Sequence, residues 1–495
     1  MKLNKFLWNN YKETEQGKQT IELFTNGETV ILLNKYLGSF PLGETDTANF
    51  IDDLNNFSVW PKISNELNNE SAELLFDEII KNGFALKYKE DELENYKPDN
   101  FDFLHLIPVI STWLFYKFPY FFKPYYLTSK FQLLTQIADT FGIELPEVPL
   151  KRYKEKRLQY YWKLCETFLK FQVENEMSPY EFCAFLYDFA PKYLEQTQSL
   201  ANELPQPTQV WLVGGNQGGG DFEFLDNYQK GNTSFWQGNI DTKRGDIIIM
   251  YCLSPRSCIH SIWRATKDGI ADPFFHFYSS IDISEGIKVA PITLKELKAD
   301  KYFSKHPLVR KNLQGVNGYS FNSEDYKRVQ DLIMKNGGNT TNLPQLYSPA
   351  FSSNQTLKVE RDVELTLIEP FLKELGYTEL DWERQLIVRM GHRERNFPDY
   401  VFLSNKEKNY EIASMLIEAK YWIKNNKELE ETFKQVYSYG LRLSAKILIL
   451  ADKDAIWIYE KQNESFDRTK YIKKYWKELE QPDNFRNIKK LIGRK

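Results

Sequence analysis

Along the first two hundred residues apolar side chains return every three or four positions. "SAELLFDEIIKNGFALKY" (71–88), "KFQLLTQIADTFGI" (130–143), "KRLQYYWKLCETFLKFQVEN" (156–175) and "SPYEFCAFLYDFAPKYLEQTQ" (178–198) each carry one apolar stripe, the mark of amphipathic helices. Ser178 suits the cap of the last helix and Pro179 its first turn. "ELPEVPL" and "ELPQPTQ" read as Pro-punctuated linkers, so residues 1–205 form a mostly helical domain whose role the sequence does not reveal. From 207 to 337 the pattern changes to short β-type runs, "QVWLVGG", "GDIIIMYCL" and "SIWRAT", parted by Gly, Asn and Asp and followed by the amphipathic "SEDYKRVQDLIMKNGG". A small barrel closed by a helix is predicted. The Gly-, Asn- and Ser-rich "NGGNTTNLPQLYSPAFSSNQT" then reads as a flexible linker, 338–356.

The last block, 357–495, opens with a helical run, "KVERDVELTLIEPFLKELGYTE", that stops at Gly376, a residue suited to the left-handed turn ending a helix. Strand-like "ERQLIVRM", "PDYVFLS" and "EIASMLIEAKYW" follow, then the helix "KELEETFKQVYSYGLRL" and the strands "AKILILA" and "AIWIYE". The order is α-β-β-β-α-β-β, an α/β arrangement in which chemistry tends to collect at the strand ends. The whole chain is therefore expected to be multidomain α+β: a helical N-terminal region, a central β-barrel and an α/β C-terminal domain.

Composition narrows the possibilities. The chain has 495 residues, enough for several domains, with 42% hydrophobic and 15% aromatic residues. The longest apolar runs, such as "HLIPVISTWLF", fall short of a membrane span, and the N-terminus lacks a signal-peptide pattern, so a cytoplasmic protein is expected. Cys165, Cys183, Cys252 and Cys258 have no C-x-x-C spacing and read as buried thiols. "GGNQGGGD" lacks the Gly-Lys-Ser/Thr of a phosphate loop, so no ATP site is expected. The net charge of −4 conceals an asymmetry: from Leu357 onward there are 27 Lys and Arg against 24 Asp and Glu. A basic C-terminal tail, "YIKKYWKELEQPDNFRNIKKLIGRK", could meet phosphates.

On the C-terminal frame four charged residues can converge. Asp399 follows Pro398 at the mouth of one strand. Strand alternation puts Leu416, Glu418 and Lys420 on one face of the next, with Met415, Ile417 and Ala419 on the other. Glu360 lies on the preceding helix, while Gln435 and Tyr439 are one helical turn apart and can face the same sheet edge. Hydrolysis of a phosphodiester needs such a set. Carboxylates such as Asp399 and Glu418 can hold Mg²⁺, or Mn²⁺ in its place. Lys420 can orient or deprotonate water or steady the phosphate, and Glu360 can complete the outer shell of the metal. Singly, each has a plainer reading: Asp399 as a turn residue, Gln435 and Tyr439 as a helix surface pair, Glu418 with Lys420 as a solvated charge pair.

Residues 357–461 resemble the PD-(D/E)xK nuclease superfamily, and within it the N-terminal nuclease domain of type I restriction motor subunits. "VERDVELTLIEPFLKELGY", "NFPDYVF", "LIEAKYW", "KQVYSYG" and "KDAIWIYE" carry the resemblance, which implies a restriction-endonuclease-like fold with Asp399, Glu418 and Lys420 at its centre. In that family the first helix supplies one acid; here Glu360 and Glu364 are both available. The spacing to Leu375-Gly376 favours Glu360 and leaves Glu364 as a surface charge.

Residues 207–337 resemble, less specifically, the EVE domain of the PUA-like barrel superfamily, on "VWLVGGNQ", "TSFWQGNIDTKRGDIIIMYCL", "HPLVRKN" and "LQGVNGYSFNSEDYKRVQDLI". That resemblance implies a reader of modified bases, which a flipped base sandwiched by aromatic rings would satisfy. Trp211, Trp236, Tyr251 and Trp263 are candidate rings, with Asn216 and Ser254 as hydrogen-bond partners. Trp236 leads, because it stands in the polar stretch "NTSFWQGN", although burial is the commoner fate of any one ring. Together the resemblances imply a type IV-like, modification-dependent restriction endonuclease of phage defence. Its expected partner is double-stranded DNA bearing a modified, cytosine-derived base, cut through a homodimer or transient pairing. Two alternatives stay open: a partner-dependent restriction or repair nuclease acting on unmodified DNA or RNA, and a non-catalytic nucleic-acid reader or scaffold.

Overall fold

A computed structural model describes residues 3–37, 51, 68–81, 100–198, 203–218, 220–351, 357–384, 386, 388–389, 395–396, 398–407 and 411–494. The chain is mixed α/β and falls into two compact units. One comprises Met1–Pro205 with Trp211–Tyr319; the other comprises Gln206–Val210 with Ser320–Lys495.

The first unit begins with helices where the stripes predict them, among them Phe131–Phe141, Lys154–Glu174 and Pro179–Ala184. Ser178 makes a capping box with Glu181, and Pro179 opens the helix. The helix Asn69–Lys81 covers the start of the 71–88 stripe; the remainder lies outside the described residues. Aromatic rings fill the helical core: Trp113, Phe115, Phe122, Tyr125, Tyr160 and Tyr161 are fully buried.

The strands β1 (Val210–Gly215), β2 (Ser234–Gln237), β3 (Ile247–Cys252), β4 (Cys258–Ala265), β5 (Ile270–Ala271) and β6 (Ser279–Thr293) form a curled sheet in the order β2-β6-β4-β3-β1. The fifteen-residue β6 pairs antiparallel with β2, β4 and β5. Register shifts between β4 and β6 mark where the ladder bends. This sheet shares a core with the helices. Phe274, on the β5–β6 connection, is 3% exposed and lies 4.5 Å from the Tyr125 ring, and Arg157 donates to the carbonyls of Pro273 and Phe275. A short strand, β7 (Tyr319–Phe321), marks the end of the first unit.

The first helix of the second unit is Ser323–Lys335. The sequence reading gave this helix to the barrel, but it clusters with the C-terminal block, where the Ser323 amide and hydroxyl both donate to Asp483. The predicted flexible linker is likewise fastened over its described part. Leu343 and Phe351 are buried, Tyr347 donates to Glu374, and the Phe351 amide donates to Glu480. Apolar side chains every few residues gave that stretch something to bury, which its Gly and Asn content disguised.

The main sheet of this unit has the order β15-β14-β13-β12-β11-β8, built from β8 (Glu383–Arg384), β11 (Tyr400–Asn405), β12 (Ile412–Ala419), β13 (Ile447–Ala451), β14 (Ala455–Glu460) and β15 (Ile472–Tyr475). The pair β9 (Val388–Arg389) and β10 (Arg395–Asn396) stands apart from it. β12 and β13 run parallel, joined by the helix Asn426–Arg442; the β11–β12, β13–β14 and β14–β15 pairs are antiparallel. Alternation along β12 divides the core as predicted: Met415, Ile417 and Ala419 join one cluster, Leu416 the other with Val436 and Tyr439. The basic C-terminal segment is no free tail. It forms β15 and the helix Pro482–Ile492, whose Phe485, Ile488 and Ile492 are buried.

Candidate active site

The antiparallel register of β11 and β12 pairs Tyr400 with Ile417, which carries Asp399, just before β11, alongside Glu418. The Oδ2 of Asp399 accepts a hydrogen bond from the Ala419 amide at 2.8 Å, fixing the carboxylate across the strand end. Glu418 is 2% exposed. Its Oε1 accepts from Lys420 Nζ at 2.8 Å, while its Oε2 is buried with no hydrogen-bond partner. An unsatisfied buried carboxylate oxygen is costly and marks a place that a ligand can complete.

Lys420 lies one residue beyond the last residue of β12, so strand alternation does not govern it as predicted. Its amide donates to Ala451, closing the β12–β13 ladder, and its ammonium folds back to Glu418 Oε1 and the Ala419 carbonyl. Glu360 Oε2 stands 3.8 Å from the same ammonium. One oxygen each from Glu360, Glu364 and Asp399 fall within 4.8 Å of one another. Gln435 donates to the Tyr439 hydroxyl at 3.3 Å, and Tyr439 feels the charges of Glu418, Lys420 and Asp399. Asp399, Glu418, Lys420 and Glu360 thus gather at one strand end, and Gln435 is placed by its bond to Tyr439.

Electrostatics follow from this crowding. Burial, with Asp399 adding to it and Lys420 opposing, pushes Glu418 from 4.5 up to about 7. Burial also raises Asp399 against the Ala419 amide and Lys420, and raises Glu360 against Lys420. For Lys420 burial disfavours the charge, but Glu418, Glu360 and Asp399 outweigh it, so the pKa rises and the ammonium persists. Among the described residues Lys420 is the cation paired with Glu418 and Glu360, while Arg361 and Arg384 are taken up by Glu364, so acids outnumber bases around Asp399 and Glu418.

Glu364 is no surface charge, contrary to the sequence reading. It is 5% exposed and ion-paired to both Arg361 and Arg384, whereas the Glu360 side chain is 43% exposed. The helix widens to a π turn at Glu364–Ile368, just where Glu364 turns inward. Arg384 on β8 also reaches Glu369, which accepts from the Tyr400 hydroxyl. Neither Arg361 nor Arg384 was singled out in the sequence: Arg361 stands three residues before Glu364 at ordinary helical pair spacing, and Arg384 comes from a separate element and leaves no local spacing. Asp452 was also missed. It is 1% exposed, and its carboxylate accepts from the amides of Ile423, Asp454 and Ala455, tying the segment after Lys420 to the β13–β14 turn.

In the first unit the proposed base-pocket rings are core residues. Trp236 is not in a loop: it lies in β2, paired with Ile281, 5% exposed, its indole N–H donating to Gly214 at 2.9 Å. Of the polar neighbours that suggested a loop, Ser234 and Gln237 lie within the four-residue strand, and Asn232, Thr233 and Asn239 flank it. Trp211 donates to Asp246 and Trp263 to Ser261. Trp211, Trp236 and Trp263 share one cluster, Tyr251 is buried on β3, and Asn216 and Ser254 are exposed. Sequence reasoning passed over Phe224 and Tyr228. Both are half-buried, and their rings lie 5.5 and 4.6 Å from Trp263.

No protein-family model matches the chain, and no curated protein does. An NMR structure of a structural-genomics target from Rhodopseudomonas palustris is similar over 26% of this chain and 92% of that one, at 19% identity and a TM-score of 0.22. A likeness that slight has no bearing on fold or function. Among the described residues no helix is long and apolar enough to cross a membrane.

Proposed function

We propose that the second unit is a metal-dependent DNA endonuclease domain of PD-(D/E)xK type, and that the chain is a modification-dependent restriction enzyme. The observation that carries this reading is the convergence of Asp399, Glu360, Glu418 and Lys420 at one strand end, with Glu418 Oε2 buried and unpartnered. The donors are all carboxylate oxygens, which suits Mg²⁺ or Mn²⁺, and the surplus of acid over base suits a divalent charge. Asp399 and Glu418 would hold the ion, with Glu360 at its outer shell; Glu364 is engaged by two arginines. When bound, such an ion supplies a Lewis acid that lowers the pKa of water and offsets charge on the phosphate.

The protein's own groups do the remainder. Lys420, kept protonated by its acid neighbours, can donate to a non-bridging phosphate oxygen or hold the attacking water. The Ala419 amide fixes Asp399, and the Gln435–Tyr439 pair borders the site. Cleavage of both strands calls for two such domains, hence a dimer or transient pairing.

For the sheet of the first unit we propose an EVE-like reader of a modified base. The support is its aromatic cluster, whose half-buried Phe224 and Tyr228 stand against Trp263. Displacing those two rings would open a stacking slot on Trp236 and Trp263. Digestion of matched DNAs carrying cytosine, 5-methylcytosine, 5-hydroxymethylcytosine or glucosylated cytosine, with and without Mg²⁺, tests both halves. Mg²⁺-dependent cutting of modified DNA alone is expected; equal cutting of all four would refute the reader and spare the nuclease.

A further inference from the structure

Immediately after Lys420 the chain reads Tyr421-Trp422-Ile423-Lys424. This segment leaves the sheet yet is held at four points. The Lys420 amide donates to Ala451, the Lys453 amide to Tyr421, the Ile423 amide to Asp452 Oδ2 at 2.8 Å, and the Tyr421 hydroxyl to Leu357. Asp452 is buried and is itself fixed by the amides of Asp454 and Ala455. On this fastened loop Trp422 is 43% exposed. Tryptophan is usually well covered, and here the backbone is held so that the ring stays out.

Cations surround the ring. Lys453 Nζ is 4.2 Å from the Trp422 centroid and 5.4 Å from that of Tyr421, and Lys424 Nζ is 5.5 Å from Trp422. Tyr421 alone separates Trp422 from Lys420, so their Cα atoms lie within about 7 Å. Lys453 lies over the ring, so a base stacks on that face only when the ammonium swings aside on its flexible stem; a part-exposed indole with two such lysines can take a nucleobase by stacking and its phosphates by charge. A base-paired, stacked duplex presents phosphates but keeps its base faces covered, so such a ring is wasted on it.

We propose that Trp422, with Lys424 and Lys453, is a stacking platform for an unpaired base beside the phosphate that is cut, and that the substrate strand is therefore opened at the cleavage point. This rests on the nuclease reading above and adds to it the state of the substrate. The platform acts through binding and positions the strand; it takes no part in the chemistry at Lys420.

The test uses the full chain with fluorescein-labelled single strands, blunt duplexes and duplexes with a central unpaired bubble, each made with cytosine, 5-methylcytosine, 5-hydroxymethylcytosine and glucosylated cytosine. Binding is followed by anisotropy in EDTA, and cutting in Mg²⁺ in parallel. Trp422→Ala should weaken binding to single strands and bubbles by about 5- to 100-fold, while blunt-duplex binding changes less than roughly twofold. Trp422→Phe should retain most of the binding, because a phenyl ring still stacks. Equal loss on all three DNAs, or no loss on any, overturns the platform; if the wild type still cuts with Mg²⁺, the nuclease reading survives that result. A wild type that neither binds nor cuts DNA overturns both.

Discussion

Glu418→Gln, in the protein freed of metal, separates a site built for a cation from an ordinary charge pair. A carboxyl raised from 4.5 to about 7 costs about 3 kcal/mol more to ionise in the folded protein than in the unfolded chain. Below pH 4.5 Glu418 is protonated in both states and the penalty vanishes. It grows as pH rises from 4.5 towards 7 and is complete above 7. Glutamine imitates the protonated form: its carbonyl can still accept from Lys420, and it never ionises. At pH 8 in EDTA the variant should therefore be more stable than the wild type by about 3 kcal/mol, and at pH 5 by less than about 1 kcal/mol. For a unit of this size about 2–4 °C per kcal/mol is expected, so calorimetry should place the transition carrying the second unit roughly 6–12 °C higher at pH 8. A variant less stable than the wild type at pH 8, or a gap that does not widen with pH, would refute the assignment of a strained carboxylate at Glu418.

Three further predictions concern other residues. Lys420→Met should lower Mg²⁺-dependent cleavage by about 10²–10⁴-fold without loss of the native circular-dichroism spectrum; Lys420→Arg, with its wider fork, should not restore it. Arg384→Met strands part of the buried Glu364 charge and should cost about 1–3 kcal/mol, read as a lower urea midpoint at pH 8 and a smaller drop at pH 4. Phe274→Ala empties a site in the core shared by the helices and the curled sheet and should cost about 3–5 kcal/mol, visible as a lower melting temperature of the first unit.

Much of the second unit was legible because its signals are local. The period of the chain gave the helix Asn426–Arg442 within a residue and the strand after it within two, while the strand before it ends at Ala419, three residues short of the predicted run, and Gly376 does take a positive φ, 93°. Alternation assigned Leu416 and Ile417 to opposite faces, and the Pro-Asp and Glu-x-Lys spacings brought Asp399 and Glu418 together. What escaped depends on partners far apart in sequence. Glu364 turns inward because Arg384 on another element receives it, and Asp452 fixes a loop some thirty residues away. Trp236 misled because a four-residue strand framed by polar turns resembles a loop. The helix Ser323–Lys335 went to the wrong neighbour because one apolar stripe cannot say which core it faces.

Asp399, Glu418 and Lys420 are proposed above to cut DNA. The most direct measurement is cleavage of modified phage DNA by the full chain in Mg²⁺, beside Asp399→Asn and a control in EDTA. The wild type should cut in Mg²⁺, with no cutting by the variant or in EDTA. Cutting by Asp399→Asn at the wild-type rate, or cutting that persists in EDTA, would contradict this assignment.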